Sequence, residues 1–473
     1  MITAQHYFGF LMTLAVTAVV GIYSFRLIKT ASDFNVGGRK LTTWLVTGSL
    51  IGAFVGGTST VGTAQVAYQF GLSGIWFTLG AGIGCLFMGF FLVKPMRQAE
   101  VETIPQYLGK YYGPKAVTWS SIYTTMGMFI QIIAQVLAAI PLLMVMLPVT
   151  SLEAALLATA FMVLYIFFGG FWGTSLVGLF KTVLIYASLG VAGVFSLKLA
   201  GGFTGLQENL PVFPYFSPFP GGMSKELASV FSVVVGFIST QTYMQAVFAG
   251  KDVRSSRNGV YLAGLLIPFI GAASVVIGMF MRVHYPEING AMALPMFIIN
   301  HLPPLFGGVV LAGLLISLIM TGASLTLGVC TTLCQDIYKK LLRREACDNE
   351  LLRISRVLVL LVAGGVLLVV LSNFNSLILQ WAFLSMALRG VTVFFPLLAA
   401  VFYPGKIPPR AALAAIALSP PAAIIWPFWK PVHVEPLYLG MGISLLSLFI
   451  GGMTIYSNPT KNMKIIERDG LGK

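Results

Sequence analysis

Residues 49–71 read SLIGAFVGGTSTVGTAQVAYQFG. The flanks are apolar enough to lie in a bilayer. The centre, Gly56, Gly57, Thr58, Ser59, Thr60 and Gly62, is poor in helix formers and rich in small hydroxyls. A stretch like this in mid-membrane either packs closely on its neighbours through small residues, or unwinds and frees backbone groups to bind a ligand. A second stretch, SVVVGFISTQTYMQAVFAG at 232–250, repeats the pattern, with Gly236, Ser239, Thr240, Gln241, Thr242 and Gln245 interrupting an apolar run. Each interrupted run is followed by four more apolar runs. That predicts two five-helix repeats, at about 42–200 and 225–403. Five is odd, so the second repeat has inverted topology, and a solute would bind between the two broken helices.

The composition makes a bilayer the solvent. Hydrophobic residues are 57% of the 473, against about 45–50% in soluble domains, and charged residues 9%, against roughly 25%. Mean hydropathy is +0.89. A soluble fold could not cover its surface with so few charges, and disorder requires low hydrophobicity. Apolar runs able to cross ~30 Å of hydrocarbon fall at about 6–28, 42–69, 73–95, 118–147, 152–169, 172–200, 225–249, 258–283, 305–335, 353–372, 376–403, 409–428 and 435–456. The expectation is an all-α integral membrane protein with 13 transmembrane helices. No Lys or Arg precedes the first run, so it does not read as a cleavable signal peptide.

The net charge of +14 is a topology signal. Of 29 Lys and Arg, 23 fall in one alternating set of loops, from Arg26, Lys29, Arg39 and Lys40 to the tail residues Lys461, Lys464, Arg468 and Lys473. Only Lys198, Lys225, Arg282 and Lys430 fall in the other set. The positive-inside rule then puts the N-terminus outside and the C-terminus inside a plasma membrane. The excess charge faces anionic lipid, so no nucleic-acid partner is needed to explain it. The chain divides into a first span and inner loop (1–41), core repeat 1 (42–200), an external loop carrying PVFPYFSPFP (201–224), core repeat 2 (225–403), and two peripheral spans with a cytoplasmic tail (404–473). Two basic residues remain inside spans, Lys181 and Arg389, and no carboxylate lies in mid-membrane. Asp336, in the last turn of a span, is the nearest approach.

Enzymatic chemistry finds no footing. His6, His284, His301 and His433 are scattered, with neither paired acids nor metal-ligand spacing. Cys85, Cys330, Cys334 and Cys347 contain no C-x-x-C pair and read as packing residues. No cofactor and no obligate protein partner are indicated. The expected partners are a small-molecule solute and the lipid bilayer. A one-component sensor would append a signalling domain, whereas 17 residues follow position 456.

Four stretches carry a family resemblance: GTSTVGTAQVAYQFGLSG (57–74), ETIPQYLGKYYG (102–113), QAVFAGKDVRSSRNG (245–259) and SLIMTGASLTLGVCTTLCQDIYKKLL (317–342). In this order and spacing the chain resembles the sodium/solute symporter family. The resemblance implies the leucine-transporter fold, with an outside N-terminus and a ten-helix inverted-repeat core. It also implies a sodium site between the broken first core helix and the eighth. Matching the motifs puts Gly52 and Val55 at the carbonyl positions and Ser317, Met320 and Thr321 at the span 9 positions.

This chain departs from the pattern in two places. Members usually carry Ser-Ser or Ser-Thr where residues 320 and 321 are Met-Thr, and a thioether is a poor ligand for sodium. Members often read G-G-x-x-x-V-x-W-T-D-x-x-Q in span 6, where this chain reads GGFWGTSLVGLFK, so Gly178 replaces the Asp and Lys181 the Gln. A charge at mid-membrane costs roughly 2.5–3.5 kcal/mol on insertion scales. Three readings of Lys181 follow. It substitutes for sodium, as in proton-coupled or sodium-independent transporters of similar fold; it is a static cation bound to carbonyls; or it snorkels to the inner interface. Lys181 lies about nine residues into its span, or ~13 Å at 1.5 Å per residue, which makes full snorkelling difficult. Arg389 could receive a substrate carboxylate, bind backbone carbonyls or line the inner vestibule. The other candidate substrate contacts are Ser59 and Thr60 in the first break, with Thr240 and Gln241 in the second.

The expected function is secondary active transport of a small polar solute, such as a carboxylate or amino acid, by alternating access. Sodium symport is the family default. Proton-coupled or sodium-independent transport with Lys181 in the ion site is the alternative, and a partner-coupled solute receptor is the second alternative.

Overall fold

A computed structural model describes residues 2–25, 39–101, 103–168, 171–343, 345, 348–429 and 434–457. The basic residues Arg26, Lys29, Arg344, Lys430, Lys461, Lys464, Arg468 and Lys473 lie outside the described residues, as do Gly169, Gly170, Cys347 and His433. Among the described residues the chain is helical, without a β-strand; a lone parallel bridge joins Leu41 and Gly250.

The helices, in chain order, are α1 (Ala4–Phe25), α2 (Thr43–Phe54), α3 (Thr63–Phe70), α4 (Trp76–Phe87), α5 (Val93–Gln98), α6 (Ile104–Tyr112), α7 (Pro114–Met146), α8 (Ser151–Phe168), α9 (Phe171–Leu199), α10 (Gly202–Asn209), α11 (Val212–Tyr215), α12 (Met223–Ile238), α13 (Gln241–Ala249), α14 (Val253–His284), α15 (Ala293–His301), α16 (Pro304–Thr332), α17 (Asp348–Leu371), α18 (Ile378–Phe402), α19 (Pro409–Trp429) and α20 (Pro436–Ser457). Among the described residues nine helical runs are long and apolar enough to cross a membrane. The number is ten when α12 and α13, bent by 43° at their junction, are taken as one.

Three expected spans meet only shorter apolar helices, at Ala4–Val20, Thr43–Phe54 and Ser151–Ile166. The expected division between 42–69 and 73–95 is also displaced. The helix stops at Phe54, resumes as a wide π turn over Thr58–Gly62, and then runs on through a 3-10 turn at Gly71–Ile75. Gly71 makes that turn at φ +66°, with its bare Cα against the Tyr215 backbone, where a side chain would have no room.

Polar composition decides which helices are central. The two broken helices and the helices facing them, α7, α16 and α18, are largely buried, whereas α17, α19 and α20 present apolar side chains outward. Leu360, Leu361, Leu368, Phe449, Ile450 and Met453 are exposed, as a lipid-facing surface requires. Crosswise packing organises the interior: α9 lies against α2 and α16, and α18 lies against α12 and α7. Between the breaks, Phe54 stacks on Phe77 (centroids 5.1 Å apart), Phe237 stacks on Tyr243 (4.5 Å), and Phe54 meets both members of the second pair. Phe77 is therefore core. Trp76 anchors the segment between α9 and α12, stacking on Phe219 and donating Nε1–H to Pro218 O at 2.7 Å.

At the other end of the bundle the two broken helices are tied by backbone. Leu41 N–H donates to Ala249 O (3.0 Å) and Lys251 N–H to Leu41 O (2.9 Å). Arg97 Nε–H donates to Gly250 O at 2.8 Å. Asp252 caps α14 by accepting Ser255 N–H at 2.6 Å, and that bond holds its carboxyl below the usual range.

Close packing makes a prediction. A Cβ on Gly236 would lie 2.6 Å from Met386 Cα, whereas one on Gly364 meets nothing within 4 Å. Gly236→Ala is expected to cost about 1–3 kcal/mol through overpacking and to lower the melting temperature of the purified protein. Gly364→Ala is expected to leave it unchanged.

Candidate ion and solute site

A helix that stops in mid-membrane leaves carbonyls without intrahelical donors, and the end of α2 meets this with side chains from other helices. Lys181 on α9 donates Nζ–H to Gly52 O at 2.6 Å, to Ser317 O at 3.1 Å and to Thr321 Oγ1 at 2.9 Å. An ammonium has three donors, so this set is complete. Ser317 Oγ–H donates to Val55 O at 2.7 Å. Gly52, Val55, Ser317, Thr321 and Lys181, which sequence placed around one ion position, are thus brought together. Lys181 is 1% exposed and turned into the bundle, which is not the geometry of snorkelling. Small residues allow the approach: a Cβ on Gly52 would fall 2.9 Å from Gly178 Cα.

Met320 does not join them. Its side chain packs with Ile316 against Leu14, Val20 and Tyr165. Successive residues on a helix diverge by about 100°, so the position before Thr321 faces α1 rather than the ion site.

The oxygens of this cage are of the kind that suits a hard cation. Three of them already hold an ammonium, and Val55 O holds a hydroxyl. As arranged, the residues do not fit a sodium ion.

The expected solute contacts are mostly turned back on the backbone. Ser59 Oγ–H (3.1 Å) and Thr60 Oγ1–H (2.8 Å) donate to Gly56 O, and Gly56 N–H donates to Ser59 Oγ. Thr240 Oγ1–H donates to Gly236 O at 2.6 Å. Gln241 Oε1 accepts Ile104 N–H at 2.9 Å, tying the second break to α6. Arg389 is fully buried. Its Nη1–H donates to Thr240 Oγ1 (2.6 Å), Nη2–H to Ser385 Oγ (2.7 Å) and to Met386 Sδ (3.4 Å), and Nε–H to Ser385 O (3.1 Å). A guanidinium has five N–H donors, and these partners leave no open fork for a substrate carboxylate.

Sequence reasoning missed Gln131 and Gln135 on α7. Gly57 N–H donates to Gln135 Oε1 at 2.7 Å, and Gln131 Nε2–H donates to Thr58 Oγ1 at 3.4 Å. Both side chains are buried, and Gln131 Oε1 and Gln135 Nε2 have no partner among the described residues; the same holds for Ser239 Oγ and Thr242 Oγ1. Buried polar atoms are nearly always paired in folded proteins, and four of those left unpaired among the described residues lie in or beside the two breaks. Two carboxamides four residues apart in the apolar run FIQIIAQVL (129–137) were the available signal.

Broken helices crossing an apolar bundle are the architecture that membrane transporters use to place a solute between them. The chain belongs to the sodium:solute symporter family, whose model matches residues 34–417. It is 25% identical to the osmoregulated proline transporter OpuE of Bacillus subtilis (strain 168), over 94% of this chain and 93% of that one. It is 22% identical to the high-affinity proline transporter PutP of the same organism, over 91% and 94%. A substrate-bound, outward-open Na+-coupled sialic acid symporter superposes with a TM-score of 0.80 at 15% identity, covering 96% of this chain and 97% of that one. MHP1, a nucleobase-cation-symport-1 family transporter in a closed conformation, gives 0.61 at 12% identity, over 91% and 96%. The fold is therefore the leucine-transporter-like fold, and the protein is a multi-pass solute transporter of the plasma membrane.

The Gly57–Gln135 bond supplies a test. Gln135→Met leaves a buried amide without an acceptor and is expected to destabilise the purified protein by about 1–3 kcal/mol, read as a lower melting temperature. Gln135→Glu, which keeps an oxygen acceptor, is expected to lose less.

Proposed function

We propose that the protein moves a small carboxylate or zwitterionic solute across the plasma membrane by alternating access about the two helix breaks, with Lys181 standing where the family places a coupling sodium. The observation that carries this reading is the bonding of Lys181 Nζ to Gly52 O, Ser317 O and Thr321 Oγ1. All three acceptors are neutral, so the ammonium brings the single positive charge that a sodium ion would. Its bonds join α9, α2 and α16, the junction that alternating access must rearrange.

The solute class follows from two supports. Gln131 Oε1 offers an unmatched acceptor and Gln135 Nε2 an unmatched donor, one helical turn apart on α7. That pair complements a solute bearing both a hydrogen-bond donor and an anionic acceptor. Two of the relatives named above are proline transporters and the structural neighbour with the higher TM-score is a sialic acid symporter, carboxylates all, whereas MHP1 is a nucleobase-cation symporter.

We read the chain as 13 spans with the N-terminus outside. Positions 42–200 and 225–403 are the inverted repeats and 404–473 the peripheral pair with its tail. The 23-to-4 division of basic residues supports the orientation. The lysine reading has a proton-coupled form: loss of one proton removes one of three donors from the cage and loosens the α2–α16 junction.

A thermal-shift screen of amino acids and carboxylates, with and without sodium, tests the proposal, because ligands of the native state raise its melting temperature. Carboxylate or zwitterionic hits that need no sodium are expected. Uptake of a hit into proteoliposomes is expected to ignore sodium. Accumulation driven by an imposed proton gradient marks the proton-coupled form. Lys181→Ala is expected to acquire a saturable response to sodium, since the three oxygens bonded by the ammonium are then released, and Thr321→Ala in that background to abolish it. Saturable sodium stimulation of the unaltered protein, lost in Thr321→Ala and retained in Lys181→Ala, would overturn the reading.

A further inference from the structure

The two buried cations occupy matching places. Lys181 is the eleventh residue of α9 and Arg389 the twelfth of α18, the fifth helices of the two repeats. Each helix packs on the broken helix of its own repeat and on the third helix of the other repeat. Lys181 bonds to Gly52 at the end of α2 and to Ser317, the fourteenth residue of α16. Arg389 bonds to Thr240 in the break between α12 and α13. Its link to the opposite repeat runs through Ser385, whose Oγ accepts from Nη2 and donates to Gly127 O at 2.6 Å. Gly127 is the fourteenth residue of α7, the same register as Ser317. The arginine stem lies on its bare Cα: a Cβ there would sit 2.6 Å from Arg389 Cγ. The two cations thus stand one residue apart in helix count and between corresponding helices of the two repeats.

We propose that Arg389 is a second tethered cation, filling the position related to the Lys181 site by the repeat symmetry and holding the second break in register with α7 and α18. This rests on the pairing of repeats proposed above. Arg389 is then a positioning residue, and both places where a mobile cation could join a broken helix to the opposite repeat are filled by the chain's own side chains. The acceptors it holds, Ser385 O, Ser385 Oγ and Thr240 Oγ1, form a cluster shaped to a planar guanidinium.

Removing the side chain should leave a vacancy that free guanidinium can enter. Arg389→Gly is expected to melt lower than the unaltered protein and to recover by about 3 °C with saturable, millimolar guanidinium. The unaltered protein and Lys181→Gly should show no such recovery. Hydrogen exchange over 236–243 is expected to speed up at least about tenfold in Arg389→Gly and to slow again with guanidinium. No saturable guanidinium response, or an equal one in the unaltered protein, overturns the proposal. So does loss of carboxylate binding with exchange at the break unchanged, which would make Arg389 a solute ligand. If Arg389→Gly does not fold, Ser385→Ala and Thr240→Val keep the arginine and each remove one acceptor. Faster exchange confined to the second break supports the proposal, and unchanged exchange overturns it. The Lys181 reading is judged separately by the sodium response of Lys181→Ala, so either can fail alone.

Discussion

A helix interrupted within hydrocarbon has no water to satisfy its freed backbone groups, and the rest of this structure is arranged around that constraint. At the first break the partners come from outside the helix. Gln135 of α7 takes Gly57 N–H, Ser317 of α16 gives to Val55 O, and Lys181 of α9 gives to Gly52 O. Three helices are thereby fixed to one short segment, so its conformation cannot change alone. At the second break the solution is more local. Thr240 O accepts from Tyr243 and Met244, and its hydroxyl caps Gly236 O. Arg389 then binds that hydroxyl and carries the link to the neighbouring helices.

Two cations beside the breaks, with the one fully buried carboxylate among the described residues, Asp336, set in the turn beyond α16, give the site an electrostatic bias. Unit charges about 8 Å apart at an effective dielectric of about 20 interact by about 2 kcal/mol, a factor of roughly 30 in affinity. Cationic solutes would meet that penalty and anionic ones the corresponding gain. Neutral oxygens disperse each cation's charge without cancelling it. This favours the carboxylate reading of the solute even though Arg389 itself offers no open fork to an anion.

The fold was legible because membrane helices announce themselves by length and hydropathy, and the breaks by glycine and hydroxyl clusters at 56–62 and 236–242. Lys181 was legible because a charge in an apolar run stands out, and family spacing identified its neighbours Gly52, Val55, Ser317 and Thr321. Met320 was misplaced because a motif treats adjacent positions as one site, whereas a helix points them to different neighbours. Ser59, Thr60 and Gln241 looked available because composition cannot show that their oxygens bond the backbone close by or across the bundle. Gln131 and Gln135 carry no charge and sit in no motif quoted for the family, so attention to charges passed over them.

The two departures in span 6 are one physical change. Residues 178 and 181 are three apart on a helix and share a face. A carboxylate at 178 would pair with an ammonium at 181 and draw it away from Gly52 O and Thr321 Oγ1. Gly178 leaves the ammonium only neutral oxygens to bind, and lets α9 approach α2 until a Cβ on Gly52 would touch its backbone. The same closeness puts Nζ 2.6 Å from Gly52 O. With Gly178 no side chain there competes for the ammonium, so Gly178→Asp is expected to draw Nζ off Gly52 O and Thr321 Oγ1.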